Sequence, residues 1–214
     1  MKALVDNDVL FKGLSYNLLD IFLRTIPKEE EHVGILGAAR FVLADKIRKI
    51  GDAATRSADI QRLDSFLIKA EIVEPTEEER VLAAEFESLG QKLNVALDSG
   101  ESQLFAILIE RYLPLLFTGD KRAIVGLEQL LNSHARLAEI CEKVKCLEQI
   151  VLAALDLCAV DVIRTCVCSH TTVDKTLSIC FGCSSSFTST ADIVAGLDSY
   201  ISALRRDAPH ILCT

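Results

Sequence analysis

Apolar residues follow two spacings along the first 133 residues. Short apolar runs predict strands, and apolar residues that recur every three or four positions predict amphipathic helices. The predicted strands are residues 2–5, 72–75 and 115–118. The predicted helices are residues 7–23, 33–50, 55–68, 76–89, 99–111 and 120–133. Because strands alternate with helices, the pattern predicts an α/β fold whose central sheet is mostly parallel.

The C-terminal third has a different pattern and a different composition. Residues 135–166 have a long helical spacing, and two further helices are predicted at 173–181 and 193–204, separated by the polar linker 184–190. All eight cysteines lie between Cys141 and Cys213. We therefore predict one domain over residues 1–130 and a Cys-rich, all-helical extension over residues 131–214. Its long apolar stripe is expected to pack on the first domain or on a second copy of the chain, as in a homodimer.

The composition narrows the class of protein. Half of the 214 residues are apolar, and mean hydropathy is +0.30, yet no run reaches the roughly 18 apolar residues of a membrane span. The N-terminus lacks the pattern of a signal peptide, so the expected location is the cytoplasm, with no membrane partner. The net charge is −8. Because proteins that hold nucleic acid by phosphate neutralisation are usually basic, any such contact must be local or assisted by a metal.

Carboxylates mark the ends of predicted elements in three distant segments. Asp6 follows the first strand, Asp98 and Glu101 open a helix, and Asp120 follows a later strand. Ligands of open α/β sheets bind at the carboxyl ends of the strands, and carboxylate oxygens suit Mg²⁺ or Mn²⁺. Each Asp is singly better explained as a cap or turn residue. Their common placement favours one metal site.

Three short sequences carry a resemblance to a known family. ALVDND at residue 3, DSGESQLFAI at residue 98 and LFTGDKRA at residue 116 resemble, in order and spacing, the motifs of PIN domains. The resemblance covers residues 1–130 and implies a three-layer fold and a metal-dependent, toxin-like or RNA-processing ribonuclease. It implies Asp6, Glu101 and Asp120 as catalytic residues and Asp6, Asp98, Glu101 and Asp120 as ligands of Mg²⁺ or Mn²⁺. RNA is the implied substrate, with Lys121, Arg122 or Arg40 near a phosphate, and an antitoxin or another protein is the implied partner.

The chain departs from the family pattern in two places. The segment 33–41, which most resembles the one with the second family carboxylate, has no acid, and Gln103 replaces a further acid of related sequences. The run Glu29–Glu31 is expected to be a solvated helix start, with a metal-ligand role as the less favoured reading. Two functions therefore stay open. The first is the ribonuclease, and the second is a catalytically inactive PIN-fold protein that binds or regulates through its C-terminal extension.

Paired cysteines give one further candidate site. Cys166 with Cys168, Cys180 with Cys183, and the nearby His170 resemble zinc ligands. A C-x-C pair is atypical for zinc, and the flanking sequence is apolar and helical. Buried, reduced cysteines in helix packing are the favoured interpretation, and disulfides are not expected in a cytoplasmic protein.

Overall fold

The computed structural model describes residues 3–26, 33–50 and 53–214. Within these residues the chain is an α/β protein with a five-stranded, all-parallel sheet and 64% helix. The strands are β1 (Ala3–Val5), β2 (Val33–Leu36), β3 (Glu71–Val73), β4 (Leu115–Thr118) and β5 (Val144–Cys146). The run Glu29–Glu31 lies outside the described residues.

Helices connect the strands and cover both faces of the sheet. They are α1 (Asn7–Ser15), α2 (Leu19–Arg24), α3 (Ala39–Arg48), α4 (Ala53–Leu67), α5 (Glu77–Leu93), α6 (Ser99–Glu110), α7 (Lys121–Leu130), α8 (Leu147–Ala154), α9 (Val160–Ser169), α10 (Lys175–Cys180) and α11 (Thr190–Asp207). Residues 131–133 and 135–140 form 3₁₀ turns. No helix in the described part of the chain has the length and apolar character to cross a membrane.

Strands β1, β2 and β4 contribute side chains to two hydrophobic cores, one on either side of the sheet. Ala3 and Val5 of β1 lie in one core and Leu4 in the other, because neighbouring side chains of a strand point to opposite faces. In β4, Phe117 and Leu116 divide in the same way. The result is a three-layer arrangement whose three central strands are buried on both faces, whereas Glu71 and Ile72 of the edge strand β3 are exposed.

The strand order places one crevice at the centre of the sheet. The order is β3-β2-β1-β4-β5, so the chain moves outward from β1 to β3 and then returns to place β4 on the other side of β1. Connections leave β1 and β4 in opposite directions. This is the topological switch point, where open α/β sheets bind ligands beyond the carboxyl ends of the strands.

Three sequence predictions are corrected by the fold. Val33–Leu36 is a strand, not the start of a helix, because a short apolar strand buried on both faces has no alternation to reveal it. The helix predicted for residues 7–23 is interrupted at Asn17, whose φ is +55°. Residues 135–166 are not one helical segment, because Val144–Cys146 forms the edge strand β5.

The C-terminal part is integrated into the same cores as the first 130 residues. Ile163 and Leu197 lie in the core that contains Val5, whereas Leu204 and Leu212 lie in the core that contains Leu4. The predicted extension, residues 131–214, contains β5 and is not all helical. Its helices pack on the N-terminal part, as expected.

Candidate functional site

Asp6 lies at the carboxyl end of β1 and at the N-cap position of α1. Its backbone N–H donates to the carbonyl oxygen of Phe117 at 2.9 Å, which continues the β1–β4 pairing. The hydroxyl of Thr118 donates to its Oδ2 at 3.1 Å. Burial, with the neighbouring charge of Asp8, raises the pKa of Asp6 to about 6. Sequence analysis missed Thr118, whose role depends on the alignment of β1 with β4.

Asp98 and Glu101 form a capping box at the N-terminus of α6. The backbone N–H of Glu101 donates to Asp98 Oδ1 at 2.8 Å, and the N–H of Asp98 donates to Glu101 Oε2 at 2.8 Å. Burial first, and then the charges of Asp98, Asp120 and Asp6, raise the pKa of Glu101 to about 8. Each of these three carboxylates therefore lies close enough to Glu101 to repel its charge.

Asp120 caps α7 immediately after β4. Its Oδ1 accepts the backbone N–H of Arg122 at 2.8 Å, and its Oδ2 lies 2.8 Å from the guanidinium of Arg122. Burial opposes ionisation, but these hydrogen bonds hold the pKa of Asp120 below its ordinary value. Asp98 and Asp120 are thus helix caps, as the simpler interpretation predicted, and they also face the other carboxylates. We call Asp6, Asp98, Glu101 and Asp120 the acidic cluster.

The three predicted basic residues have different surroundings. Arg122 is at the rim of the acidic cluster, with 82% of its side chain exposed. Lys121 turns instead toward the C-terminal part, where its Nζ lies 2.5 Å from the buried Glu148, 3.2 Å from the Thr176 hydroxyl and 4.9 Å from the centre of the Tyr200 ring. Arg40 is exposed in the first turn of α3, above the ring of Phe41.

A buried ion-pair network lies beside the acidic cluster. The ammonium of Lys12 is 2.6 Å from Asp8 and 2.8 Å from Asp174, the N-cap of α10. A Cβ at Gly119 would lie 2.2 Å from Asp8 Oδ2, so glycine at this position permits the approach of Asp8. This network ties α1 to α10 and holds the loop between β4 and α7. Asp8 and Lys12 are an i,i+4 pair on α1, but Asp174 is so distant along the chain that no local pattern connects it with them.

The acidic cluster fits a divalent cation by its donor chemistry. Carboxylate oxygens are the preferred ligands of Mg²⁺ and Mn²⁺, and the pKa of Glu101 is raised first by burial and then by the negative charges of Asp98, Asp120 and Asp6. Within residues 3–26, 33–50 and 53–214, no group of three or more His, Cys, Asp or Glu side chains is already arranged to hold a metal. Cation binding would therefore need side-chain rotation.

The cysteines do not have the predicted arrangement. Cys168 and Cys183 form a disulfide with a Cα–Cα distance of 5.0 Å, so the expectation of reduced cysteines is wrong for this pair. A disulfide also removes both sulfurs as thiolate ligands of zinc. Cys180 is a buried free thiol, as expected for packing, and Cys166 is half-buried.

Comparisons of the chain with models of protein families, with curated proteins and with solved structures find no match.

Proposed function

We propose that the protein is a metal-dependent, PIN-like ribonuclease that hydrolyses RNA phosphodiester bonds. One observation carries the proposal: Asp6 and Asp120 follow the two strands that flank the topological switch point, and their charges, with that of Asp98, act on the buried Glu101. Such a concentration of negative charge is costly unless it binds a cation or a proton. The PIN-type order of the three motifs supports the same function.

In the proposed enzyme, Asp6, Asp98, Glu101 and Asp120 would hold Mg²⁺ or Mn²⁺. The cation supplies polarisation of a water molecule and compensation of the charge that develops on the phosphate. Asp120 contributes a stable negative charge, since its pKa is lowered. Thr118 orients Asp6 by donating to one oxygen, and Arg122 at the rim places a positive charge where a phosphate would approach.

The alternative is a catalytically inactive PIN-fold protein that acts by binding. The absence of a preformed three-ligand group among the described residues favours it, as does the lack of an acid in residues 33–41. Binding would then use the outer surface of the C-terminal helices, because their inner faces are in the cores. A protein partner such as an antitoxin, and a homodimer, stay predictions under both functions.

Cleavage of single-stranded RNA tests the proposal. An end-labelled RNA of mixed sequence is incubated with the parent protein in Mn²⁺, in Mg²⁺ and in EDTA, and Asp120→Asn is compared with it. Asn retains the helix cap but removes the charge that attracts the cation. We expect cutting with either metal, none in EDTA, and a loss of cutting in Asp120→Asn.

Asp192→Asn is the control, because Asp192, like Asp120, accepts a backbone hydrogen bond at a helix N-terminus but lies exposed at the start of α11. It should cut as fast as the parent. Equal rates for Asp120→Asn and the parent would show that the acidic cluster is not the site. An inactive parent protein, with both metals and several RNA sequences, would favour the binding function.

A further inference from the structure

A cavity of about 420 Å³ adjoins the acidic cluster between α7, α11 and the loop that joins α5 to α6. This volume lies within the roughly 300–1,000 Å³ that is usual for small-molecule sites. One set of lining side chains is apolar or aromatic, and another carries amides. Six of the lining residues are Val95, Val125, Ala203, Tyr200, Asn94 and Gln129.

The walls of this cavity continue directly into the acidic cluster. One wall includes Ala96, two residues before Asp98, and consecutive residues this close span at most about 7 Å. The opposite wall includes Arg122, whose guanidinium pairs with Asp120. The base of a nucleotide whose phosphate lies at the acidic cluster can therefore reach this cavity.

We propose that this cavity binds one nucleobase of a single-stranded RNA, next to the phosphate held at the acidic cluster. The proposal deepens the function given above and rests on it for the nature of the ligand. Unpaired RNA bases are recognised by stacking on aromatic rings and by hydrogen bonds to their edges. The Tyr200 ring offers a surface for stacking, the two valines offer apolar contacts, and the side-chain amides of Asn94 and Gln129 offer hydrogen bonds.

Charge complementarity favours a nucleotide over an apolar or basic occupant. Two cationic side chains, Lys121 and Arg122, and one carboxylate, Asp207, line the cavity, so cations outnumber acids in its lining although the net charge of the protein is −8. Lys121 is already bound to Glu148 and Thr176 and lies above the Tyr200 ring, so it holds that ring in place. The Arg122 side chain is more exposed and can reorient to contact a phosphate.

Filling the cavity is the direct test. Ala203→Phe places a ring in the space for the base, whereas Ala195→Phe adds the same ring at an exposed position of α11 outside the cavity. Each of the four nucleoside 5′-monophosphates is titrated into the parent and both variants in the presence of Mg²⁺, and the side-chain amide NMR signals of Asn94 and Gln129 are followed. We expect at least one mononucleotide to shift both amides with saturation. Ala203→Phe should weaken its binding at least tenfold, and Ala195→Phe should leave it unchanged.

A smaller change guards against misfolding of the filled variant. Gln129→Ala removes one amide without adding volume, and Gln91→Ala makes the same change at an exposed position of α5 outside the cavity. Loss of affinity in Gln129→Ala alone supports the proposal. It is overturned if no mononucleotide shifts the amides at millimolar concentration, or if Ala203→Phe and Gln129→Ala both bind like the parent.

RNA cleavage by the same variants separates this proposal from the nuclease function. If the parent cuts RNA and Ala203→Phe has the same kcat/KM, the base cavity is refuted and the nuclease stands. If nothing is cut but mononucleotide binding is lost in Ala203→Phe and kept in Ala195→Phe, the cavity stands and the nuclease is refuted.

Discussion

Replacement of Glu101 by glutamine should stabilise the metal-free protein. The Glu101 carboxylate is only 9% exposed and faces the charges of Asp98, Asp120 and Asp6. Glutamine has nearly the same shape, and its amide oxygen can still accept the backbone N–H of Asp98. The substitution therefore removes an unfavourable charge and keeps the capping box.

The pKa of Glu101 sets the magnitude and the pH range of this effect. A pKa of about 8 against an ordinary 4.5 corresponds to roughly 5 kcal/mol at about 1.36 kcal/mol per pKa unit, which is an upper limit. Rotation of the ionised Glu101 side chain toward water reduces this energetic penalty. Loss of its negative charge at the helix N-terminus costs about 0.3–1 kcal/mol. We expect a net gain of roughly 2 kcal/mol in the free energy of unfolding, or about 4–8 °C in Tm.

The sign of the pH dependence follows from the raised pKa. Below about pH 4.5 Glu101 is protonated in the folded and unfolded states, so it imposes no penalty there. As pH rises from 4.5 toward 8, the unfolded carboxylate ionises before the folded one, and the parent protein loses stability. The advantage of Glu101→Gln should therefore be small at pH 5 and full at pH 9.

Thermal and urea unfolding in EDTA at pH 5, 7 and 9 measure the effect. Glu79→Gln is the matched control, because Glu79 is buried at the same position of the capping box on α5. Burial also opposes its ionisation, but bonds from Arg111 at 2.6 and 2.8 Å hold the pKa of Glu79 below its ordinary value. Glu79→Gln should therefore destabilise the protein. If Glu101→Gln also destabilises it at pH 9, the four carboxylates do not repel one another as inferred.

Two further substitutions test contacts of the C-terminal part. Cys168→Ser removes a disulfide that spans 15 residues, so it should lower the free energy of unfolding by roughly 3 kcal/mol without reductant. With dithiothreitol the substitution should have no effect. If the parent and Cys168→Ser were equally stable without reductant, the disulfide would be contradicted. Lys12→Met leaves two half-buried carboxylates without their counter-ion and should cost up to about 3 kcal/mol in urea unfolding, less than the loss of a fully buried pair. Lys49→Met breaks an exposed pair and should cost less than about 1 kcal/mol; similar losses for both lysines would refute this ranking.

Local rules were sufficient for part of the fold. The capping-box sequence from Thr76 to Glu79 predicted the start of α5, and both hydrogen bonds of that box are formed. Leu115–Thr118 was predicted as a buried strand from its short apolar run, and it is β4. Such signals act over a few residues, so neither depends on what packs against the element.

Other elements depended on partners that are distant in sequence. Val33–Leu36 and Val144–Cys146 are apolar segments that could form a helix or a strand by spacing alone. Pairing with β1 and β4 makes them strands, because their backbone groups are then satisfied by neighbours in the sheet. A pattern read along one segment contains no information about those neighbours.

The candidate site divides in the same way. The sequence by itself determined which carboxylates end strands or begin helices, and it therefore identified Asp6, Asp98, Glu101 and Asp120 as candidates. Only the tertiary structure decided that β1 and β4 are adjacent, which places Thr118 on Asp6 and the other carboxylates around Glu101. It also decided that Lys121 contacts Glu148. Charge repulsion, burial and ion pairing depend on distances in space, and these exist only once the parallel sheet has brought the segments together.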